Sequence, residues 1–457
     1  MSQYIIYLLP MFFSLLGAII CILPIRYVDK TISVIVSALS LSSAIYLLFQ
    51  PDRIDGYFYI DGLSKLLILT IAMVYISTVL YSLPYLKHLG NLLFQHRLYY
   101  ILLNVFVATM FFSVMVDNLG LIWVGIEATT VSSALLIATK NNQVTVESAW
   151  RYVIIVSTGL VISLIAITFI YGSAGTLSLH KLLLHHPDNR VFLIGILLGI
   201  VGFGTKAGIF PMHTWLPDVH GKAPAPVSAI FSGVLLPVAL YAIARLIQIY
   251  PIGTIKLFAL TLGILTVGAA SLMMTVQTNY KRMFAYSSME NMGMILIGFS
   301  LGGYGLLGAV IIIISHGLAK SSVFFLTGDI LSRYHTTEMQ KVNGLMQRLP
   351  RAASTLFIAA MAVTGAPPFA IFVGELFIFS ALIAQYGWLI ALVVILFLAI
   401  AFIAVNFQTG KMIFTGNENI KRERPHLESW IAIVNLILSF LVILFIPYFE
   451  LLLKNLL

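Results

Sequence analysis

Gly202-Phe-Gly-Thr-Lys206-Ala-Gly-Ile-Phe-Pro211, continued by Met-His213-Thr-Trp-Leu-Pro217-Asp218, decides how this chain is read. It follows an apolar run and sets a lysine, glycines and a proline into what would otherwise be one uninterrupted helix. Proline removes a backbone donor and clashes with the preceding turn. Inside a bilayer, broken backbone is tolerated only where protein or a wet cavity satisfies it. The stretch therefore reads as a broken helix at membrane depth with a charge beside the break.

The composition agrees. Of 457 residues, 60% are hydrophobic and 9% charged, against about half and about a quarter in soluble domains. That excludes a soluble enzyme, a nucleic-acid binder and a disordered chain. An aromatic share of 12% in long apolar runs points to helices, since β-barrels show only short alternating segments. The net charge of +9 rests on few residues and reports topology, not a basic groove. One cysteine, Cys21, cannot build an iron–sulfur cluster or a disulfide within the chain. It reads as a buried small apolar residue. Any electron carriers then belong to other chains.

A helix needs about 20 apolar residues to cross the hydrocarbon. Windows of that size predict fourteen spans, at 4–24, 31–49, 63–85, 98–116, 119–139, 150–171, 191–213, 226–249, 254–276, 284–303, 305–331, 352–383, 388–409 and 428–453. The first lacks a basic n-region and a small-residue exit, and Arg26 and Lys30 follow it, so it reads as a retained helix. Odd-numbered loops hold seventeen of the 26 basic residues, among them Arg26, Lys87, Lys140, Lys281, Arg282, Arg351, Lys421, Arg422 and Arg424. Even-numbered loops and the C-terminus hold six: Arg53, Lys181, Arg190, Arg245, Lys256 and Lys454. The positive-inside rule places odd loops in the cytoplasm and both termini outside.

A second broken span reads Val363-Thr-Gly365-Ala-Pro367-Pro368-Phe-Ala-Ile-Phe-Val-Gly374-Glu375. It lies five spans after the first. An odd offset makes it run the opposite way, so spans four to eight and nine to thirteen form an inverted pair. Matching breaks in inverted halves point to an ion path at the midplane. The expected units are three N-terminal helices in 1–97, a first half at 98–249, a second half at 254–409 and a C-terminal helix in 410–457. The fold class is all-α and polytopic.

Charges within spans carry the chemistry, because each costs about 2.5–3.5 kcal/mol at the bilayer centre on insertion scales. Glu127, Lys206, His316 and Glu375 are the main candidates. Lys320 lies one turn after His316, and Glu290 begins span ten. Burial lets a lysine release its proton and a nearby carboxylate restores its hold. At about 7 Å and an effective dielectric of about 20, such a pair is worth roughly 2.4 kcal/mol. That suits proton transfer, with histidine as relay and Ser, Thr and Tyr holding bridging waters. Blander readings stand beside these. Glu127 and Lys206 can form a static ion pair, Glu375 can cap a broken helix, and His316 can join two helices. Lys320 and Glu290 can snorkel or pair locally. His213, Asp218, His220 and Lys222 form a cytoplasmic proton uptake or tie down a loop. Lys65 is expected only to snorkel, Lys281 and Arg282 to mark a cytoplasmic loop, and His185–His186 lacks further ligands for a metal.

Lys206-Ala-Gly-Ile-Phe-Pro-Met-His-Thr-Trp-Leu-Pro-Asp-Val-His-Gly-Lys-Ala-Pro resembles the signature of the antiporter-like, proton-translocating subunits of complex I, membrane-bound hydrogenases and multisubunit sodium/proton antiporters. Tyr280-Lys-Arg-Met-Phe-Ala-Tyr-Ser-Ser and Ser315-His316-Gly-Leu-Ala-Lys320-Ser are similar to two further family stretches. Glu127-Ala-Thr-Thr and Gly365-Ala-Pro-Pro-Phe look most like the hydrogenase-4 component F branch. The resemblance covers nearly the whole chain. It implies two inverted five-helix bundles, each with a half-channel, joined by an axis of charged residues. Glu127 and Lys206 would be the coupled pair of the first half, His316 a central relay and Glu375 the exit-side residue. Iron–sulfur, nickel–iron or quinone sites would sit only on partner subunits, leaving this chain without a cofactor. Two positions depart from the complex I pattern: Pro237 stands where a lysine is expected and Asn291 where a histidine is usual. Tyr241, Glu290 or water would then substitute. The expected function is a proton-translocating membrane subunit of a redox complex in the cytoplasmic membrane, its partners being other subunits, lipid and H+ or Na+. The alternatives are a cation/proton antiporter module, an inorganic-carbon uptake subunit, and a structural anchor that no longer conducts.

Overall fold

The computed structural model describes residues 2–25, 27–88, 93, 96–140, 142–416 and 428–456. Arg26, Lys421, Arg422 and Arg424, counted above as cytoplasmic, lie outside the described residues. The chain is a multi-pass helical membrane protein. It opens with α1 (Ser2–Ile20) and α2 (Val28–Leu48), then a short hairpin of β1 (Arg53–Ile54) and β2 (Tyr59–Ile60), then α3 (Gly62–His88). Next come α4 (His96–Met115), α5 (Leu119–Ile137), α6 (Gln143–Ala174), the short α7 (Leu179–Leu184), α8 (Arg190–Ala207) and α9 (Trp215–Lys222). One continuous helix is then formed by α10 (Ala225–Ile230), a π turn (Phe231–Leu235) and α11 (Leu236–Ile249). There follow α12 (Gly253–Thr275), α13 (Tyr280–Leu301), α14 (Gly303–Tyr334), the short α15 (Leu345–Arg348), α16 (Pro350–Val363), α17 (Ala370–Tyr386) and α18 (Trp388–Phe414). The chain closes with α19 (Glu428–Leu441), a 3-10 turn (Val442–Phe445) and α20 (Ile446–Leu453).

Among the described residues, eleven helical segments are long and apolar enough to cross a membrane. The windows expected at 4–24, 284–303 and 352–383 are not among them, each for a local reason. In α1 the described apolar stretch is only Ile5–Ile20. In α13 the polar and charged residues Lys281, Arg282, Glu290 and Asn291 dilute the apolar run. The third window is divided into α16 and α17 by its break.

Burial grades from the periphery to the centre. The apolar window of α18 is 22% buried, whereas those of Ala225–Ile249 and Gly303–Tyr334 are 100% buried. These two central segments cross closely. A Cβ on Gly233 would lie 3.0 Å from the Gly317 carbonyl oxygen, and one on Gly317 would lie 3.0 Å from that of Gly233. Only glycine admits two backbones so near each other. The π turn here has a plain cause. Pro237 offers no N–H to the Gly233 carbonyl one turn back, and the register slips so that the Leu236 N–H reaches the Phe231 carbonyl. The proline that replaces an expected lysine thus widens the helix beside His316.

Both broken spans are built alike. At each break a glycine takes a left-handed conformation, Gly208 at φ 75° and Gly365 at φ 68°, and a proline follows three residues on. The bonds before Pro211 and Pro368 are cis. Backbone groups freed by the first break are met by protein: Trp215 Nε1 donates to the Thr205 carbonyl at 2.8 Å, and the Phe210 N–H donates to Thr266 Oγ1 at 3.1 Å. At the second, Asn291 Nδ2 donates to the Val363 carbonyl at 3.1 Å.

Three basic residues differ from expectation. Arg245 lies in no loop: it is 0% exposed and forms a bidentate pair with Asp61 at 2.6 and 2.7 Å. Lys65 does not snorkel; it is buried and donates to Asp52 Oδ1 and the Gln50 carbonyl, each at 2.7 Å. Lys281 is 1% exposed and donates to the Ala223 carbonyl at 2.7 Å, at the end of α9. In each case an acceptor near the helix end captured a charge that a linear reading assigns to water, Asp61 and the Ala223 carbonyl within the protein and Asp52 at its surface. Cys21 is fully buried, within reach of Ser33 and Asn104.

Candidate functional site

The first cluster is built by α5, α6 and α8. Lys206 sits in the last turn of α8, where the helix dipole favours a cation, and is 0% exposed. Its ammonium donates to Thr130 Oγ1 at 2.9 Å and to the Tyr152 hydroxyl at 2.6 Å, and lies 4.9 Å from the Tyr152 ring centre. The Tyr152 hydroxyl also pairs with Ser133 Oγ at 2.7 Å. Glu127 occupies the same face of α5 one turn before Thr130. It accepts from Ser157 Oγ at 3.0 Å, and its other oxygen is buried without a partner.

Glu127 and Lys206 therefore share a site but do not form a direct ion pair. The difference matters for proton transfer. An ammonium has three donors and no acceptor, and hydrogen bonds to a charged group contribute roughly 1.5–3 kcal/mol each. Two such bonds offset part of the cost of the buried charge. Unlike a carboxylate, a hydroxyl can turn and donate to the neutral amine once the proton has left. Thr130 and Tyr152 can thus serve both states of Lys206.

The second cluster joins α13, α14 and the break between α16 and α17. Lys320 is 0% exposed and donates to the Phe284 carbonyl at 2.8 Å and to Ser287 Oγ. Asn291 Nδ2 reaches the Ser287 carbonyl at 2.9 Å and Glu290 Oε2 at 2.7 Å. Lys320 and Glu290 are thereby linked through Ser287 and Asn291, and the same Asn291 amide holds the broken end of α16. Glu375 folds back over the break: a Cβ on Gly365 would meet its carboxylate oxygens at 2.4 and 2.5 Å. Among the described residues no donor bonds Glu375. His316 is 0% exposed, and neither ring nitrogen has a hydrogen-bond partner. Beside it, Ser232 Oγ of the π turn meets Ser288 Oγ of α13 at 2.6 Å.

The remaining candidates divide. His220 is fully buried with both ring nitrogens unpartnered, stacked on Phe324 of α14 at 4.9 Å. His213 packs on Phe210 at 5.6 Å, and its Nδ1 is unpartnered. Asp218 is bound to Lys222 at 2.8 Å and to Ser148 at 3.2 Å, which ties α9 to α6. Tyr241 lies away from His316. Its hydroxyl bonds Ser64 and the Val114 carbonyl, and its ring faces Arg245 at 4.6 Å. His186 packs against Tyr250 at 5.0 Å. Tyr152 was not singled out from the sequence, Thr130 and Ser287 stood only within quoted motifs without a role, and Lys281 was read as a loop marker. Their hydroxyls and amine fall at helical spacing from charged residues, a signal shared by many serines and threonines.

Residues 116–403 match the family profile described as NADH:quinone oxidoreductase/Mrp antiporter, transmembrane. The chain belongs to this family. The hydrogenase-4 component F homolog of Methylacidiphilum infernorum is 32% identical over 387 residues, covering 78% of this chain and 79% of that one. Hydrogenase-4 component B of Escherichia coli is 28% identical, and the match covers 70% of this chain and 50% of that longer relative. In fold, the chain superposes on a chain of the archaeal membrane-bound sulfane sulfur reductase with a TM-score of 0.89 at 24% identity, covering 99% and 96% of the two chains.

Proposed function

We propose that this chain is a proton-translocating membrane subunit of a complex I-like or membrane-bound hydrogenase complex, in which partner subunits hold the redox centres. The observation that carries the reading is Lys206: a fully buried amine at a helix break, held by two hydroxyls next to a glutamate instead of locked against it. The family and the hydrogenase-4 relatives support the setting in a multisubunit assembly. The excess of lysine and arginine in odd loops supports a cytoplasmic membrane location with both termini outside. Moving Arg245 out of the even loops strengthens that bias.

Residues 98–249 and 254–409 act as inverted halves. By position, Glu127 of span five corresponds to Glu290 of span ten, and Lys206 of span seven to Glu375 of span twelve. Protonation of Glu127 weakens its hold on the Lys206 charge, and the amine passes its proton inward. His220, stacked on α14, and His316, at the Gly233–Gly317 crossing, lie between the halves as relays. Lys320, Glu290 and Glu375 form the second store, from which Glu375 releases the proton at the break. Asn291 is no gap in this path; its amide ties Glu290 to the broken helix. Iron–sulfur, nickel–iron and quinone chemistry stays with the partners.

The test is Glu375→Gln in the whole complex reconstituted in proteoliposomes. Assembly is expected to survive while redox-driven proton uptake falls at least about tenfold, since one decade is about 1.4 kcal/mol of lost charge stabilisation. Loss of assembly with normal flux in the residual complex favours the structural-anchor reading. The same vesicles, driven by a sodium gradient without electron donor, separate an antiporter from a redox-coupled pump.

A further inference from the structure

A cavity of about 970 Å³ opens between α2 and α3 on one side and α19 to α20 on the other. Leu41, Leu69, Leu80, Val434 and Leu438 are among its walls, and the polar side chains of Asn435, Ser77 and Tyr448 donate into the protein. Asn435 donates to Ser321 at 2.8 Å, and Ser77 to the Val74 carbonyl at 3.0 Å. Beside the opening, Pro447 denies the Ile443 carbonyl its donor, and α19 passes through the 3-10 turn Val442–Phe445 into α20. The lining runs from Trp430 to Phe449, about 29 Å at 1.5 Å per residue, close to the hydrocarbon thickness of about 30 Å. Its two ends are aromatic. Trp430 is stacked under the Arg351 guanidinium at 5.4 Å, and Tyr448 lies 6.1 Å from Phe49. Arg351 is exposed, and among the described residues it pairs with no carboxylate.

We propose that this groove binds an anionic diacyl phospholipid, its phosphate on Arg351 and its acyl chains along α19. The walls are apolar along their length, as acyl chains require. Arginine suits a phosphate, and tryptophan suits the headgroup level.

The experiment uses the full chain in its assembled complex, in phosphatidylcholine nanodiscs carrying a trace of phosphatidylglycerol with a diazirine in one acyl chain. Irradiation is expected to label mainly peptides of α3 and α19 that face the groove. Arg351→Gln is expected to lower that labelling about fivefold, the effect of one basic residue at a membrane surface, while a phosphatidylcholine probe is unaffected. Val434→Trp fills the groove and is expected to remove both. If that variant does not assemble, competition by unlabelled phosphatidylglycerol in the unmodified complex reads the same preference. Label spread evenly over α6, α18 and α19 overturns the site. Equal labelling by both probes overturns the headgroup assignment, and a partner helix cross-linked along Leu438 overturns lipid as the occupant.

Discussion

Tyr152→Phe isolates the contribution of one hydroxyl to the Lys206 site. The ring stays in place against Trp215 at 5.0 Å and under the ammonium at 4.9 Å, so packing and the cation–π contact survive. Ser133 keeps its bond to the Thr130 carbonyl at 3.0 Å. What is lost is the 2.6 Å bond from Lys206, leaving the buried ammonium with Thr130 alone. A hydrogen bond to a charged group is worth roughly 1.5–3 kcal/mol. If the charged amine is an obligatory intermediate, its population falls by about 10- to 100-fold, one decade per 1.4 kcal/mol. Redox-driven acidification by proteoliposomes containing the whole complex should slow by that factor, with normal subunit content. Thr130→Val should act similarly, and the double variant should cost less than the sum because both hydroxyls serve one ammonium. A Tyr152→Phe rate within about twofold of the unmodified complex would refute the reasoning, since it lies far below the bond's expected worth.

Two further substitutions probe the scaffold. Gly365→Ala puts a side chain at φ 68° and 2.4 Å from the Glu375 carboxylate. About 1–2 kcal/mol of backbone cost and a displaced carboxylate should lower both the melting temperature and the flux; unchanged flux would separate Glu375 from the break. Asp61→Asn removes one partner of the buried Arg245 pair and should cost about 3–5 kcal/mol, read as thermal disassembly of the detergent-solubilised complex at a clearly lower temperature, and a melting curve that does not move would deny the pair its structural role.

The membrane fold was legible because apolar length is a one-dimensional property. Helices occupy every apolar window, and both breaks fall where glycine and proline stand together. The charges were legible by type but less so by partner. Lys206 and Glu127 read as a pair, yet the ammonium is held by Thr130 and Tyr152, because α5 and α6 bring hydroxyls closer than the carboxylate. Arg245 read as a loop residue because it stands near a span end. Its partner Asp61 lies some 180 residues away in sequence, and no linear pattern joins the two. Lys281 followed the same course, drawn inward by the open carbonyl at the end of α9. Pro237 and Asn291 read as missing titratable groups. Each has a local task, one widening a helix at its crossing with α14 and the other tying Glu290 to a broken end. Pairing across helices is a tertiary property, and that is where the sequence alone falls short.

The most direct test of proton carriage through this chain is redox-driven proton flux in proteoliposomes containing the whole complex with Lys206→Ala. Coupled pumping should be nearly abolished while the complex assembles and electron transfer by the partner subunits persists. Normal flux in that variant would contradict a proton-carrying role for Lys206.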